Sequence, residues 1–107
     1  MAVLDITVEN LSTVLGDGVV VIDFYAPWCG PCKRAAPAFE KMAAAYPTVK
    51  FAKCDIDSED DELPAFSRQF GVESVPTFIV FRNAKPVAAV EGADLERVEA
   101  LVAKYSK

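Results

Sequence analysis

The chain has no histidine among its 107 residues. That absence removes every His-based acid–base pair and the commonest neutral metal ligand. Cysteine is scarce too: three, an odd number, do not make a fully paired structural framework. No stretch approaches the roughly 20 apolar residues of a membrane span. Positive charge is in deficit, with 11 Lys and Arg against 16 Asp and Glu and a formal net charge of -5. Nucleic acids and anionic membranes are polyanions, so this balance argues against both as partners. The opening Met1-Ala2-Val3-Leu4-Asp5 lacks the basic leader and long apolar run of a secretory signal, and it is not an Arg-rich transit peptide.

What is present points to a folded, redox-active domain. Apolar residues make up 52% of the chain, which excludes intrinsic disorder. The length is one domain's worth, so a single domain over 1–107 is expected, with an adequate core. Two of the cysteines sit in Cys29-Gly30-Pro31-Cys32. One working thiol pair in a reducing compartment fits this usage better than a secreted, disulfide-stapled domain, so a cytoplasmic location is expected.

Val19-Val20-Val21-Ile22-Asp23-Phe24-Tyr25 is a β-branched, apolar run that reads as a buried, parallel central strand. Asp23 interrupts it and requires an explanation. Val8 to Leu15 fits a short helix ended by Gly16 and Gly18. The Ala-rich segment Cys32 to Ala45 is strongly helical, with Pro37 expected to kink it. Val49 to Asp55 alternates as a strand, with Phe51 and Lys53 on one face and Ala52 and Cys54 on the other. The acidic stretch Asp57 to Glu62 suits a loop entering a helix, Pro64 to Phe70, which Gly71 closes. Thr77 to Phe81 and Val87 to Val90 read as a hairpin turning over Arg82-Asn83-Ala84-Lys85, with Pro86 near a sheet edge. Asp94 is a candidate cap for a final helix whose apolar stripe is Leu95, Val98, Leu101, Val102 and Tyr105. With a further short strand near Val3-Leu4, the fold class is α/β: a small mixed sheet with helices on both faces, built from a βαβ half and a ββα half.

The chemistry centres on the two cysteines. At a helix start, Cys29 meets exposed backbone amides and the positive end of the helix dipole, which stabilise a thiolate. Cys29 then attacks a substrate disulfide, and Cys32, one turn further in, attacks Cys29 and releases the reduced substrate. Gly30 and Pro31 place no charged or imidazole group between the sulfurs, which favours a reducing pair over an oxidising one. Two other readings use the same residues. Cys-x-x-Cys is also half of a zinc site, although only Cys54 and carboxylates remain to complete it. An oxidase or isomerase would use the same thiol pair.

The run Phe24-Tyr25-Ala26-Pro27-Trp28-Cys29-Gly30-Pro31-Cys32-Lys33, followed by Pro37, Val75-Pro76-Thr77 and Gly92, resembles the thioredoxin family over essentially the whole chain. The resemblance implies the thioredoxin fold, a central mixed sheet flanked by four helices. It also implies reversible dithiol–disulfide exchange on client proteins. The implied partners are an NADPH-dependent thioredoxin reductase and clients such as ribonucleotide reductase, peroxiredoxin and methionine sulfoxide reductase. No bound cofactor or metal is implied, because the redox equivalents reside on the two sulfurs and NADPH acts only through the reductase.

Carried over residue by residue, Cys29 is similar to the nucleophile and Cys32 to the resolving cysteine. Trp28 resembles the exposed ring beside them, against a plain reading as a core-edge aromatic. Pro76 resembles the family's cis-proline, which leaves the Val75 backbone free to pair with substrate. Asp23 resembles the buried aspartate behind the pair. Burial should raise its pKa and suit it to take the proton of Cys32. The alternative is a structural aspartate. Lys53 falls where the family often has a lysine interacting with that aspartate, or is simply a solvated strand residue. Gly92 matches a glycine that permits close substrate approach, or forms a tight turn. Gly30 and Pro31 support the active-site loop. Two departures stand out: Tyr25 replaces the family's usual tryptophan, and the acidic Ser58 to Glu62 segment makes the stretch from Asp57 to Pro76 about four residues longer than in the commonest members, as a solvated extension or a docking element. Cys54 is expected to be a buried small hydrophobe, with a regulatory or dimerising thiol as the alternative.

Overall fold

In the computed structural model, which describes residues 3–106, the elements follow the expected order. They are β1 (Val3–Asp5), α1 (Leu11–Leu15), β2 (Val19–Tyr25), α2 (Gly30–Ala45), β3 (Lys50–Asp55), α3 (Glu62–Gln69), β4 (Thr77–Arg82), β5 (Lys85–Glu91) and α4 (Leu95–Tyr105). Met1, Ala2 and Lys107, which belong to the expected 1–107 domain, lie outside the described residues.

The strands form one five-stranded sheet in the order β1-β3-β2-β4-β5. β3 runs parallel to both β1 and β2, while β4 runs antiparallel to β2 and to β5. The apolar run of β2 is thus the central strand, flanked by β3 and β4. Both of its faces are covered, which is why it is apolar on both faces apart from Asp23 rather than alternating. Pro86 sits on the edge strand β5, where a missing amide breaks no inner ladder.

Side chains alternate across the sheet and divide the core in two. Val21, Phe51, Phe78 and Val80 pack under α2 and α4 against Phe39, Met42, Val98 and Val102. Val20, Ile22, Phe24, Ala52, Cys54 and Phe81 pack under α1 and α3 against Val14, Leu63 and Phe66. Asp23 and Lys53 therefore belong to the α2 face, and Cys54 to the α3 face.

The helix boundaries differ from expectation in physically readable ways. The first helix covers only Leu11–Leu15, because Thr7 and Asn10 exchange side-chain and backbone hydrogen bonds (2.8 and 3.1 Å) and hold the preceding residues as a turn. α2 runs from Gly30 with Cys29 as its cap, so Cys29 stands at the helix start as expected and the Ala-rich segment from Cys32 continues the same helix. Pro37 lies inside α2 and leaves the Lys33 carbonyl without its usual donor. α3 starts at Glu62, which puts Pro64 in its first turn. α3 ends with the Gly71 amide on the Arg68 carbonyl (3.0 Å) and the Val72 amide on the Ser67 carbonyl (3.1 Å). This paired arrangement needs the left-handed conformation that Gly71 adopts at φ 77°. Asp94 caps α4 as expected, accepting the Arg97 amide at 3.3 Å.

Candidate active site

β2 delivers the chain to the reactive end of the sheet. After Tyr25, Ala26 and Pro27 turn the backbone, Trp28 projects outward, and Cys29 caps α2 in an extended conformation (φ -84°, ψ 112°). The Cys29 sulfur accepts the Cys32 amide at 3.1 Å, the hydrogen bond that an N-cap side chain normally makes. Pro31, in the first turn, has no amide to leave unsatisfied there. Cys29 and Cys32 are joined as a disulfide with Cα atoms 5.3 Å apart. Each is only 4% exposed, whereas Trp28 is 67% exposed. The Trp28 indole donates to Asp57 Oδ2 at 3.1 Å, which fixes the ring against the acidic segment. The core-edge alternative for Trp28 is thereby removed.

The loop before β4 closes the other side. Val75 packs with Ala26, Cys29 and Cys32, and the Val75–Pro76 peptide bond is cis. Thr77 Oγ1 donates to the Ser74 carbonyl at 2.7 Å. The Gly92 amide donates to the Pro76 carbonyl at 2.8 Å. Gly92 stands at φ 89°, and a Cβ there would meet nothing within 4 Å. That left-handed backbone conformation is one a glycine adopts without strain.

Behind the pair lies Asp23, 5% exposed, with Oδ1 lacking any hydrogen-bond partner among the described residues. Burial pushes its carboxyl up to about 7, against the opposing pull of the Lys53 ammonium. Asp23 and Cys32 both line a cavity of about 230 Å³ that opens to the surface, together with Tyr25, Pro27, Lys33 and Lys53. A space of this size admits water. Lys53 is paired in register with Asp23 on one side and Asp5 on the other. Its ion pair is with Asp5 Oδ1, at 3.6 Å, and its ammonium also lies 5.6 Å from the centre of the Tyr25 ring. The expected lysine–aspartate interaction is therefore a longer-range one, with Asp5 as the contact partner.

A family model described as Thioredoxin matches residues 2–106. The chain belongs to the thioredoxin family. It is 40% identical over 93 residues to thioredoxin of Malassezia sympodialis, covering 85% of each chain. It is 41% identical over 92 residues to thioredoxin-1 of Saccharomyces cerevisiae, covering 86% of this chain and 85% of that one. The crystal structure of Malassezia sympodialis thioredoxin superposes with a TM-score of 0.85 at 38% identity, covering 98% of this chain and 91% of that one. The long form of spinach chloroplast thioredoxin f gives 0.88 at 30% identity, covering 98% and 87%. The fold is the thioredoxin fold, and the Cys29–Cys32 disulfide gives the chain dithiol–disulfide oxidoreductase chemistry.

The structure gathers Trp28, Cys29, Gly30, Pro31, Cys32, Val75 and Pro76 at one end of the sheet, with Asp23 beneath Cys32 and Gly92 bonded to Pro76. Cys54 is buried in the α3-side core with its thiol 3.8 Å from Ser67 Oγ, so the three cysteines do not assemble as one metal site. Two contact residues were not legible as such in the chain. Asp57 holds Trp28, and nothing in the spacing announces it. Asp5 holds Lys53, which becomes readable only once β1 is known to lie beside β3.

Proposed function

We propose that this member of the thioredoxin family is a cytoplasmic protein-disulfide reductase recharged by an NADPH-dependent thioredoxin reductase. In its reduced form, the Cys29 thiolate attacks one sulfur of a client disulfide. That bond breaks, a mixed disulfide forms, and the client's other sulfur leaves as a thiolate. Cys32 passes its proton across the cavity to Asp23, and its sulfur attacks Cys29. The client's second sulfur departs, two electrons have moved to the client, and the Cys29–Cys32 disulfide remains for the reductase to reduce.

The observation that carries this reading is the placement of Cys29 as the cap of α2 with the carboxyl of Asp23 on the cavity beneath Cys32. The α2 amides favour the attacking thiolate, and a carboxyl titrating near neutrality is suited to accept the second proton. The exposed Trp28 ring and the Val75 backbone flank the sulfurs as a docking rim for an extended client segment. Ribonucleotide reductase, peroxiredoxin and methionine sulfoxide reductase are the client classes proposed.

Equilibration against defined thiol–disulfide buffers tests the direction of electron flow. A potential near the thioredoxin family value of about -270 mV is the expected result. A potential near about -180 mV, typical of protein disulfide isomerase, overturns the reductase reading in favour of an isomerase.

A further inference from the structure

Three ionisable side chains lie in one row across the sheet. The register aligns Asp5 of β1 with Lys53 of β3, and Lys53 with Asp23 of β2. All three fall on the α2 face by strand alternation. Lys53 thus stands between two carboxyl groups of opposite character. Asp5 is 73% exposed; Asp23 is buried, with Oδ1 unpartnered among the described residues. The ammonium pairs with the exposed one at 3.6 Å and leans over the Tyr25 ring.

We propose that Asp5 is a positioning residue for the proton-transfer step, holding the Lys53 ammonium on the β1 side of β3 and so withholding it from the Asp23 carboxyl. A lysine ammonium is a point charge on a flexible four-carbon stem, so its resting place is decided by whichever anion anchors it. Near the low-dielectric floor of the cavity its charge acts strongly on Asp23, while at the rim water screens it. The other groups facing Asp23 do not compete for this role. β4 places the apolar Phe78 opposite it, α2 contributes Cys32 and Lys33 at the cavity wall, and Tyr25 follows on β2 itself. Lys53 is the cation whose anchor lies outside the cavity. The inference rests on the reading of Asp23 as proton acceptor only for its consequence in catalysis; the charge arrangement stands by itself.

The test is a carboxyl-carbon NMR titration of Asp23 in the oxidised full chain. Asp5→Asn frees Lys53 toward Asp23 and should lower the Asp23 midpoint by about half a pH unit, the size that an exposed ion pair supports. Asp5→Glu, which keeps the anchor, should leave the midpoint near that of the parent. In a Lys53→Met background, Asp5→Asn should no longer move it, as a double-mutant cycle requires of an effect routed through Lys53. An unchanged midpoint in Asp5→Asn overturns the proposal, and so does an equal shift in the Lys53→Met background. The pH profile of mixed-disulfide resolution separates the two readings. A midpoint that moves while the profile stays fixed upholds Asp5 as the anchor and removes Asp23 as the base.

Discussion

Cys29 and Cys54 are buried to nearly the same degree, 4% and 0% exposed; Cys29 caps helix α2, and Cys54 lies near the end of the next element, strand β3. Their surroundings differ. Cys29 caps a 16-residue helix, accepts a backbone amide, and has Cys32 bonded to it and an open cavity with a carboxyl behind. Cys54 faces Ile22, Phe24, Phe66 and other apolar groups, with the Ser67 hydroxyl as its polar neighbour, and burial pushes its thiol up to about 11. Burial therefore does not decide whether a sulfur reacts. What decides it is whether oriented donors stabilise the thiolate and whether a partner can receive its proton.

The sharpest way to break this contrast is to exchange sulfur for oxygen at each site. Cys29→Ser should abolish reduction of a protein disulfide, because a serine hydroxyl at neutral pH is not a competent nucleophile without a base. Cys32→Ser should halt after the first step and accumulate the mixed disulfide, which is read by mass spectrometry. Cys54→Ser should retain the full exchange rate. A comparable loss at Cys54 would dissolve the distinction.

Asp23 supplies the next effect, and its sign is opposite to that of an ion-paired carboxylate. The folded chain holds the Asp23 proton up to about 7, against 3.8 for an unperturbed carboxyl. Between those values the native state binds more protons than the unfolded state. The stabilisation is thus fully present below about pH 4 and is lost as pH rises through about 7. The span corresponds to a loss of about 4 kcal/mol. Asp23→Asn has no proton to release, so guanidinium unfolding of the oxidised protein should show the variant gaining on the parent between pH 5 and pH 8. The same variant should slow mixed-disulfide resolution near neutral pH. Parallel stability curves for the two proteins would show that Asp23 titrates in the folded state as an ordinary carboxyl, and the contrast with Cys54 would then rest on a base too weak to favour taking the Cys32 proton.

Much of this arrangement was legible in the chain, for reasons that differ by residue. The β-branched run of β2 and the alternation in β3 are local patterns, and they fixed both the central strand and the opposite faces of Lys53 and Cys54. Cys29, Cys32, Trp28 and Pro76 were placed by a contiguous motif and a resemblance, since no local pattern distinguishes a proline preceded by a cis bond. Cys29 stands at the start of α2 as expected from the sequence; what the chain does not announce is that its sulfur accepts the Cys32 amide, since cysteine is not among the usual capping residues. For Lys53 the resemblance implies an interaction with Asp23, against a plain solvated strand lysine. Its actual partner lies 48 positions away in sequence and depends on which strand occupies the sheet edge.

The smallest effect tests Cys54 as packing alone. Its side chain is fully buried, with sulfur where an alanine would leave a void between β3 and α3. Cys54→Ala should cost about 1–2 kcal/mol, at the low end of large-to-small core changes because only one heavy atom is removed. The reduction potential of the Cys29–Cys32 pair should stay where it was. In the native parent with that pair oxidised, a thiol reagent at pH 8 should label Cys54 only as fast as the α3 side of the core opens. With the thiol pushed up to about 11, roughly a thousandth of it is thiolate at that pH even when reached. Labelling complete within the mixing time, with the fold intact, would mean that the α3-side core admits solvent. Cys54 would then rank beside Cys29 as a second reactive sulfur.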